Sequence, residues 1–238
     1  SLHDALPIFF KQFFEKESST YTYMLGCEET RVAVLIDPVA SDIEIYAKEL
    51  EQHQFTLIYT LDTHVHADHI TAADLLRERF HCKSVLHRNS DVSCGDILIT
   101  DGCMLKVGNL SIEARYTPGH TNACTSYLVG NMIFTGDALL IDGCGRTDFQ
   151  QGSAGTLYDS IHKQLFSLPD ETIVYPGHDY KGRLSSTIGY ERLNNSRLGQ
   201  NRSREDFIEL MNNLNLPYPK QIDKALPANQ ACGSISQL

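Results

Sequence analysis

The sequence predicts an α+β chain folded as an αββα four-layer sandwich, two packed sheets with helices on their outer faces. Three observations predict it. Short β-rich runs recur through the first two-thirds of the 238 residues, helical patterns lie between them, and hairpins and long β runs outweigh the helices. Apolar residues make up 42% of the chain, enough for a sizeable core in one large domain.

In chain order, the first strand is YTYML (21–25), followed by RVAVLID (31–37). Ser41 with Glu44 then reads as a capping box, opening a helix that runs through Ile45 and Leu50 to Gln54. FTLIYTL (55–61) is the next strand, and a second helix runs from about Ile70 to Phe80. KSVLH (83–87), LSIEARY (110–116), TSYLV (125–129) and NMIFTG (131–136) follow as strands, with Gly130-Asn131 as the hairpin turn between the last two. A third helix starts near Gly155 and carries Leu157, Ile161 and Leu165 at spacing four, ahead of the strand ETIVYPG (171–177). A fourth starts near Ser203 with Phe207, Ile208 and Met211. All the strands carry Val, Ile, Tyr and Thr and stop at Gly, Pro, Asn or Asp. Pro217, Pro219 and Pro227 are expected to break the remainder into loops and short pieces. The domain is expected over 9–238, with residues 1–8 as a non-native or disordered leader.

Composition excludes several functions. The net charge is -10 and there is no Lys/Arg-rich run, which argues against a nucleic-acid partner. No apolar stretch approaches the roughly 20 residues of a membrane span, and the first residues lack the pattern of a secretory or transit signal. The seven cysteines are scattered without a C-x-x-C, which predicts buried small hydrophobes in a reduced, cytoplasmic compartment and no disulfide framework.

The chemistry concentrates at strand ends. THVHADH (63–69) follows FTLIYTL and crowds His64, His66, Asp68 and His69 into one loop, an unusual density of metal-ligand side chains. YTPGHT (116–121) offers His120, FTGDALL (134–140) offers Asp137, and VYPGHDY (174–180) offers His178, each directly after a glycine that permits a tight turn. A single histidine is most often a surface or core residue; four strand ends presenting His or Asp in matching contexts point to a metal site.

This set of T-H-x-H-x-D-H, P-G-H-T, F-T-G-D and P-G-H resembles the metallo-β-lactamase superfamily over roughly residues 20–180. The resemblance implies the metallo-β-lactamase fold with a metal site at the sheet edge, and leaves the reaction open. In type II glyoxalases, which look similar here, the equivalents of His64, His66 and His120 hold one metal, those of Asp68, His69 and His178 a second, and that of Asp137 bridges. A binuclear glutathione thioester hydrolase is therefore an alternative that the ligand inventory permits.

Three further stretches narrow the resemblance. Cys144-Gly145-Arg146-Thr147-Asp148-Phe149-Gln150, the His178-Asp179-Tyr180-Lys181-Gly182 run with SSTIGYER (185–192), and PANQACG (227–233) look very like the persulfide dioxygenases, from about Phe9 to the end. That family implies one Fe(II) per chain, held by His64, His120 and Asp137, with His66, Asp68, His69 and His178 orienting the ligands and tuning the metal. Two imidazoles and one carboxylate form the facial set of non-haem iron oxygenases, with positions left open. The implied reaction oxidises glutathione persulfide with O2 to sulfite and glutathione, in the sulfide oxidation route. Arg146, Lys181 and Arg197 would hold the substrate carboxylates, Tyr180 would donate a hydroxyl at the site, and the implied assembly is a homodimer. Asn195-Ser196-Arg197 departs from the N-P-R of many relatives. The short, proline-broken tail disfavours the helical substrate domain of the hydrolases. A non-catalytic metal-stabilised module is the third reading, disfavoured because every candidate ligand is intact.

Overall fold

Side-chain alternation along the strands of the computed structural model, which describes residues 8–234, assigns each layer of the fold. Along β2 (Thr20–Cys27), Tyr21, Tyr23 and Leu25 enter one apolar cluster and Met24 another. Along β3 (Val32–Ile36), Val34 and Ile36 join the first, while Ala33 and Leu35 join the second. Both faces are thus buried. The first sheet runs β1 (Ile8–Glu15), β2, β3, β4 (Thr56–Leu61), β5 (Lys83–His87), β6 (Ile97–Ile99), and is parallel from β3 onward. The second contains β7 (Met104–Val107), β8 (Leu110–Tyr116), β9 (Thr125–Val129), β10 (Met132–Gly136), β11 (Ile173–Pro176) and β12 (Ser186–Thr187), in the order β12-β11-β10-β9-β8-β7. Only its β10–β11 pair is parallel.

The first cluster is the core between the sheets, where Tyr23, Leu25 and Ile36 meet Ile112, Tyr127 and Phe134. On the outer face of the first sheet, Tyr46 and Leu50 of α1 (Ile43–Gln52) and Leu76 of α2 (Ala73–Phe80) cover Leu35 and Leu57. On the outer face of the second, α3 (Ala154–Ser160), its π-turn extension Ile161–Leu165, α4 (Ile188–Asn194) and α5 (Arg204–Asn212) pack Leu157, Ile161, Ile188 and Phe207 on Ile133 and Val174. The αββα architecture is as expected, and α6 (Ile222–Gln230) closes the described chain. No helix among the described residues is long and apolar enough to cross a membrane.

Four local expectations need correction. Ile8, assigned to the leader, pairs with Cys27 as the first residue of β1; residues 1–7 of that leader lie outside the described residues. Ser41 does not cap α1: it sits inside the 3-10 turn Ala40–Asp42, and its hydroxyl bonds Asp42 Oδ1 at 3.3 Å instead. Pro227 does not end a segment but lies within α6. Its ring leaves the carbonyl of Asp223 without a helical donor, and Asp223 is exposed, so water can take that bond. Finally, Cys94 and Cys232 form a disulfide, because α6 folds back to bring their Cα atoms to 6.0 Å across a separation of 138 residues. The remaining cysteines are free, and all but the half-buried Cys103 are buried.

Candidate metal centre

The loops that carry the candidate ligands all leave the C-terminal ends of strands. His64 follows β4, His120 follows β8, Asp137 follows β10 and His178 follows β11. Their convergence depends on small residues. A Cβ at Gly145 would meet the Asp137 carbonyl oxygen and lie 2.8 Å from His120 Nδ1, and one at Gly177 would lie 2.6 Å from Asp137 Oδ1. Gly136, at φ +50°, turns the chain from β10 into Asp137. Gly145→Ala is expected to force Asp137 and His120 apart and to lower metal content per folded chain severely. Elemental analysis of the purified variant checks this.

One donor atom from each of His64, His120 and Asp137 lies within 4.8 Å of the others, the set expected from the resemblance. His66, Asp68 and His69 form a second such group. His178 lies between the two, its Nε2 3.5 Å from both Asp68 Oδ2 and Asp137 Oδ1.

Hydrogen bonds decide which ring nitrogen each histidine offers. The carbonyls of Arg146 and Ser19 can only accept, so His120 Nδ1–H donates to Arg146 O at 2.7 Å and His178 Nδ1–H to Ser19 O at 3.0 Å. Both leave Nε2 free. Thr63 Oγ1 donates to Asp37 Oδ2 at 2.9 Å, so His64 Nδ1–H donates to that hydroxyl at 3.0 Å and its Nε2 is also free. Such outer partners fix the tautomer and orientation of a metal-binding imidazole. Burial, reinforced by the His66 and His120 rings, holds His64 well below the usual imidazole range, which keeps it in the neutral, ligating form. His178 is shifted the other way: burial opposes, but Asp137 and Asp68 prevail.

The donor set fits a cation. Asp137 Oδ1, His66 Nδ1 and His69 Nε2 are buried without a hydrogen-bond partner. Leaving such atoms unsatisfied is costly, and a metal ion supplies what all three lack. The group Asp37, Asp62 and His66 is different, since its oxygens are already occupied by Thr63, Thr71 and His66 itself.

Two of the three expected substrate cations already have partners within the chain. Arg146 forks onto Asp148 at 2.7 and 2.8 Å, donates to Pro217 O at 2.8 Å and lies over the Phe149 ring. Its guanidinium therefore ties its own loop to the C-terminal segment. Arg197 donates Nη1 to Cys144 O at 2.7 Å and is half-buried. The Ser196 that replaces proline uses the N–H a proline lacks, donating to Asp142 Oδ1 at 2.9 Å. Of the three, Lys181 is exposed and its ammonium has no partner among the described residues. Tyr180 is 77% exposed, its ring stacked on that of His178 at 6.1 Å.

Three residues that shape the site were missed. Asp37 accepts from Thr63 N, Thr63 Oγ1 and His66 Nε2, and is 1% exposed. Its signal was available: it ends an apolar strand, the context that singled out the candidate ligands. Gln150 donates to Val65 O at 2.7 Å and Asn229 to the carbonyls of His66 and His69. Both lie within stretches quoted for the family resemblance, but no local pattern gives their contacts.

Comparison with known proteins agrees with this fold. Residues 17–178 match the family model described as metallo-beta-lactamase superfamily. The chain is 48% identical over 230 residues to human persulfide dioxygenase ETHE1, mitochondrial, covering 95% of this chain and 89% of that protein. The crystal structure of ETHE1 from Myxococcus xanthus superposes with a TM-score of 0.93 at 52% identity, covering 95% of this chain and all of that one. A probable hydroxyacylglutathione hydrolase of Schizosaccharomyces pombe is 36% identical over 166 residues, 67% of this chain and 64% of that one.

Proposed function

We propose, from the premise that the chain belongs to the persulfide dioxygenase family of the metallo-β-lactamase superfamily, that it oxidises glutathione persulfide with O2 to sulfite and glutathione at one iron. It is an enzyme, a persulfide dioxygenase, by its similarity to the curated relatives over most of both chains. The observation that carries the finer reading is the convergence of His64, His120 and Asp137, one donor atom of each within 4.8 Å of the others, with Asp137 Oδ1 buried and unpartnered. Those three residues would hold the metal. When bound, ferrous iron supplies the oxygen-activating redox chemistry that zinc lacks.

The chain's own residues do the rest. Arg146 O, Ser19 O and the Thr63–Asp37 pair orient three imidazoles before any ligand arrives. Lys181 and Tyr180, exposed beside His178, are the groups free to meet an anionic substrate. Arg146 and Arg197, proposed for the substrate carboxylates, also tie down the loop that carries Cys144 and Gly145. We keep a cytoplasmic location as our reading, with the human relative named as mitochondrial and the Cys94–Cys232 disulfide removing the cysteine argument for a reducing compartment.

A second reading rests on a specific observation. His66 Nδ1 and His69 Nε2 are unpaired beside Asp68, a donor set able to hold a second metal for thioester hydrolysis. Asp68→Ala separates the two. With one metal, the variant keeps most of its iron and loses about 10–100-fold in activity, as when a group supporting the ligands is removed. Elemental analysis checks this: wild type near two metals per chain, with the variant losing one, supports the binuclear hydrolase.

A further inference from the structure

Asn229 lies in α6, well past His178 where the superfamily match ends, and is 4% exposed. Its side-chain amide commits both ends to one loop. Nδ2 donates to His66 O at 2.8 Å and to His69 O at 2.7 Å, and Oδ1 accepts from Thr71 N at 2.9 Å. The residues from Asp62 to Ile70, which include His64, His66, Asp68 and His69, form neither helix nor strand. A loop of this kind has no ladder to satisfy its buried backbone or to fix its turns, and its ligands point wherever the backbone places them.

The chain just after the helix that carries Asn229 is held against α2 and the end of the loop. Cys232 O accepts from Asp74 N of α2 at 3.1 Å, and Gly233 lies against the Thr71 carbonyl so closely that no Cβ would fit. From these contacts we infer that Asn229 is a positioning residue for the metal centre. It sets the backbone of the 62–71 loop, so the element beyond the superfamily core completes the site's geometry. This rests on the reading that the loop's side chains surround a metal, but not on which reaction the metal serves.

The test measures cobalt(II) binding by the whole 238-residue chain stripped of metal, using equilibrium dialysis and the visible spectrum at a temperature where every variant is folded by circular dichroism. Asn229→Asp keeps the size and the acceptor for Thr71 N but replaces the donor to both carbonyls. It is expected to weaken cobalt binding about 10–100-fold and to shift the cobalt bands, with Asn229→Ala behaving alike. Cys94→Ser, which removes the disulfide and leaves the amide in place, is expected to match the unsubstituted protein in both. A merely structural asparagine would lower the melting temperature while folded protein kept the native spectrum and affinity, and that result would overturn the proposal. A loss in Cys94→Ser equal to that in Asn229→Asp would also overturn it, by assigning the effect to detachment of the helix. If the unsubstituted protein fails instead to consume oxygen with a persulfide, the functional reading falls while the cobalt comparison stands.

Discussion

Asp137→Ala is expected to yield a folded protein that retains essentially no metal and shows background oxygen consumption. The carboxylate is shared by everything in the centre: Oδ2 is 3.6 Å from His120 Nε2, Oδ1 is 3.5 Å from His178 Nε2, and neither distance is a hydrogen bond that would survive as a reason for the geometry. The position is also placed by backbone, since Gly145 N donates to Asp137 O at 2.7 Å, so the alanine variant keeps its main-chain contact and its fold. Removing the one anionic donor of a set with two neutral imidazoles takes away its charge complement to a divalent ion. Metal analysis paired with circular dichroism checks this: a native spectrum with metal retained at the wild-type level would contradict the assignment of Asp137.

Asp37→Ala is expected to have the largest effect on stability. Three donors converge on this carboxylate, Thr63 N at 2.7 Å, Thr63 Oγ1 at 2.9 Å and His66 Nε2 at 3.0 Å, in a site closed to water. Burial works against a charged His66, yet Asp37, with Asp68 and Asp62 beyond it, pushes that ring up to about 10. Removing Asp37 leaves three buried donors, Thr63 N, Thr63 Oγ1 and His66 Nε2, without their acceptor. Breaking a buried pair from one side costs about 3–5 kcal/mol, and at about 2–4 °C per kcal/mol for a chain of this size the melting temperature should fall by roughly 6–20 °C. Asp37→Asn keeps an acceptor for Thr63 N and should fall less. A thermal melt of the metal-free protein in which Asp37→Ala matches wild type would refute this account of the loop.

Much of the site was legible in the sequence because its residues repeat one local device, a strand that ends in Gly or Thr and delivers His or Asp. That device is written in consecutive residues, so His64, His120, Asp137 and His178 could be read together. The sheets were legible for the same reason: alternation in RVAVLID and LSIEARY is local. β1 was missed because it lies beside the expected leader, and β6 and β7 because short edge strands carry few periodic residues. What the sequence could not show are bonds between residues far apart in the chain. The Pro217 partner of Arg146, the Cys94–Cys232 link and the Asn229 amide are all properties of the folded tail. Proline spacing hid that tail by suggesting that it was irregular.

The most direct measurement is oxygen uptake by the iron-loaded wild-type chain with freshly prepared glutathione persulfide, sulfite being quantified in the same vessel. The account predicts rapid oxygen consumption with sulfite formed mole for mole. A flat oxygen trace from protein confirmed to hold iron, together with turnover of a glutathione thioester, would contradict it.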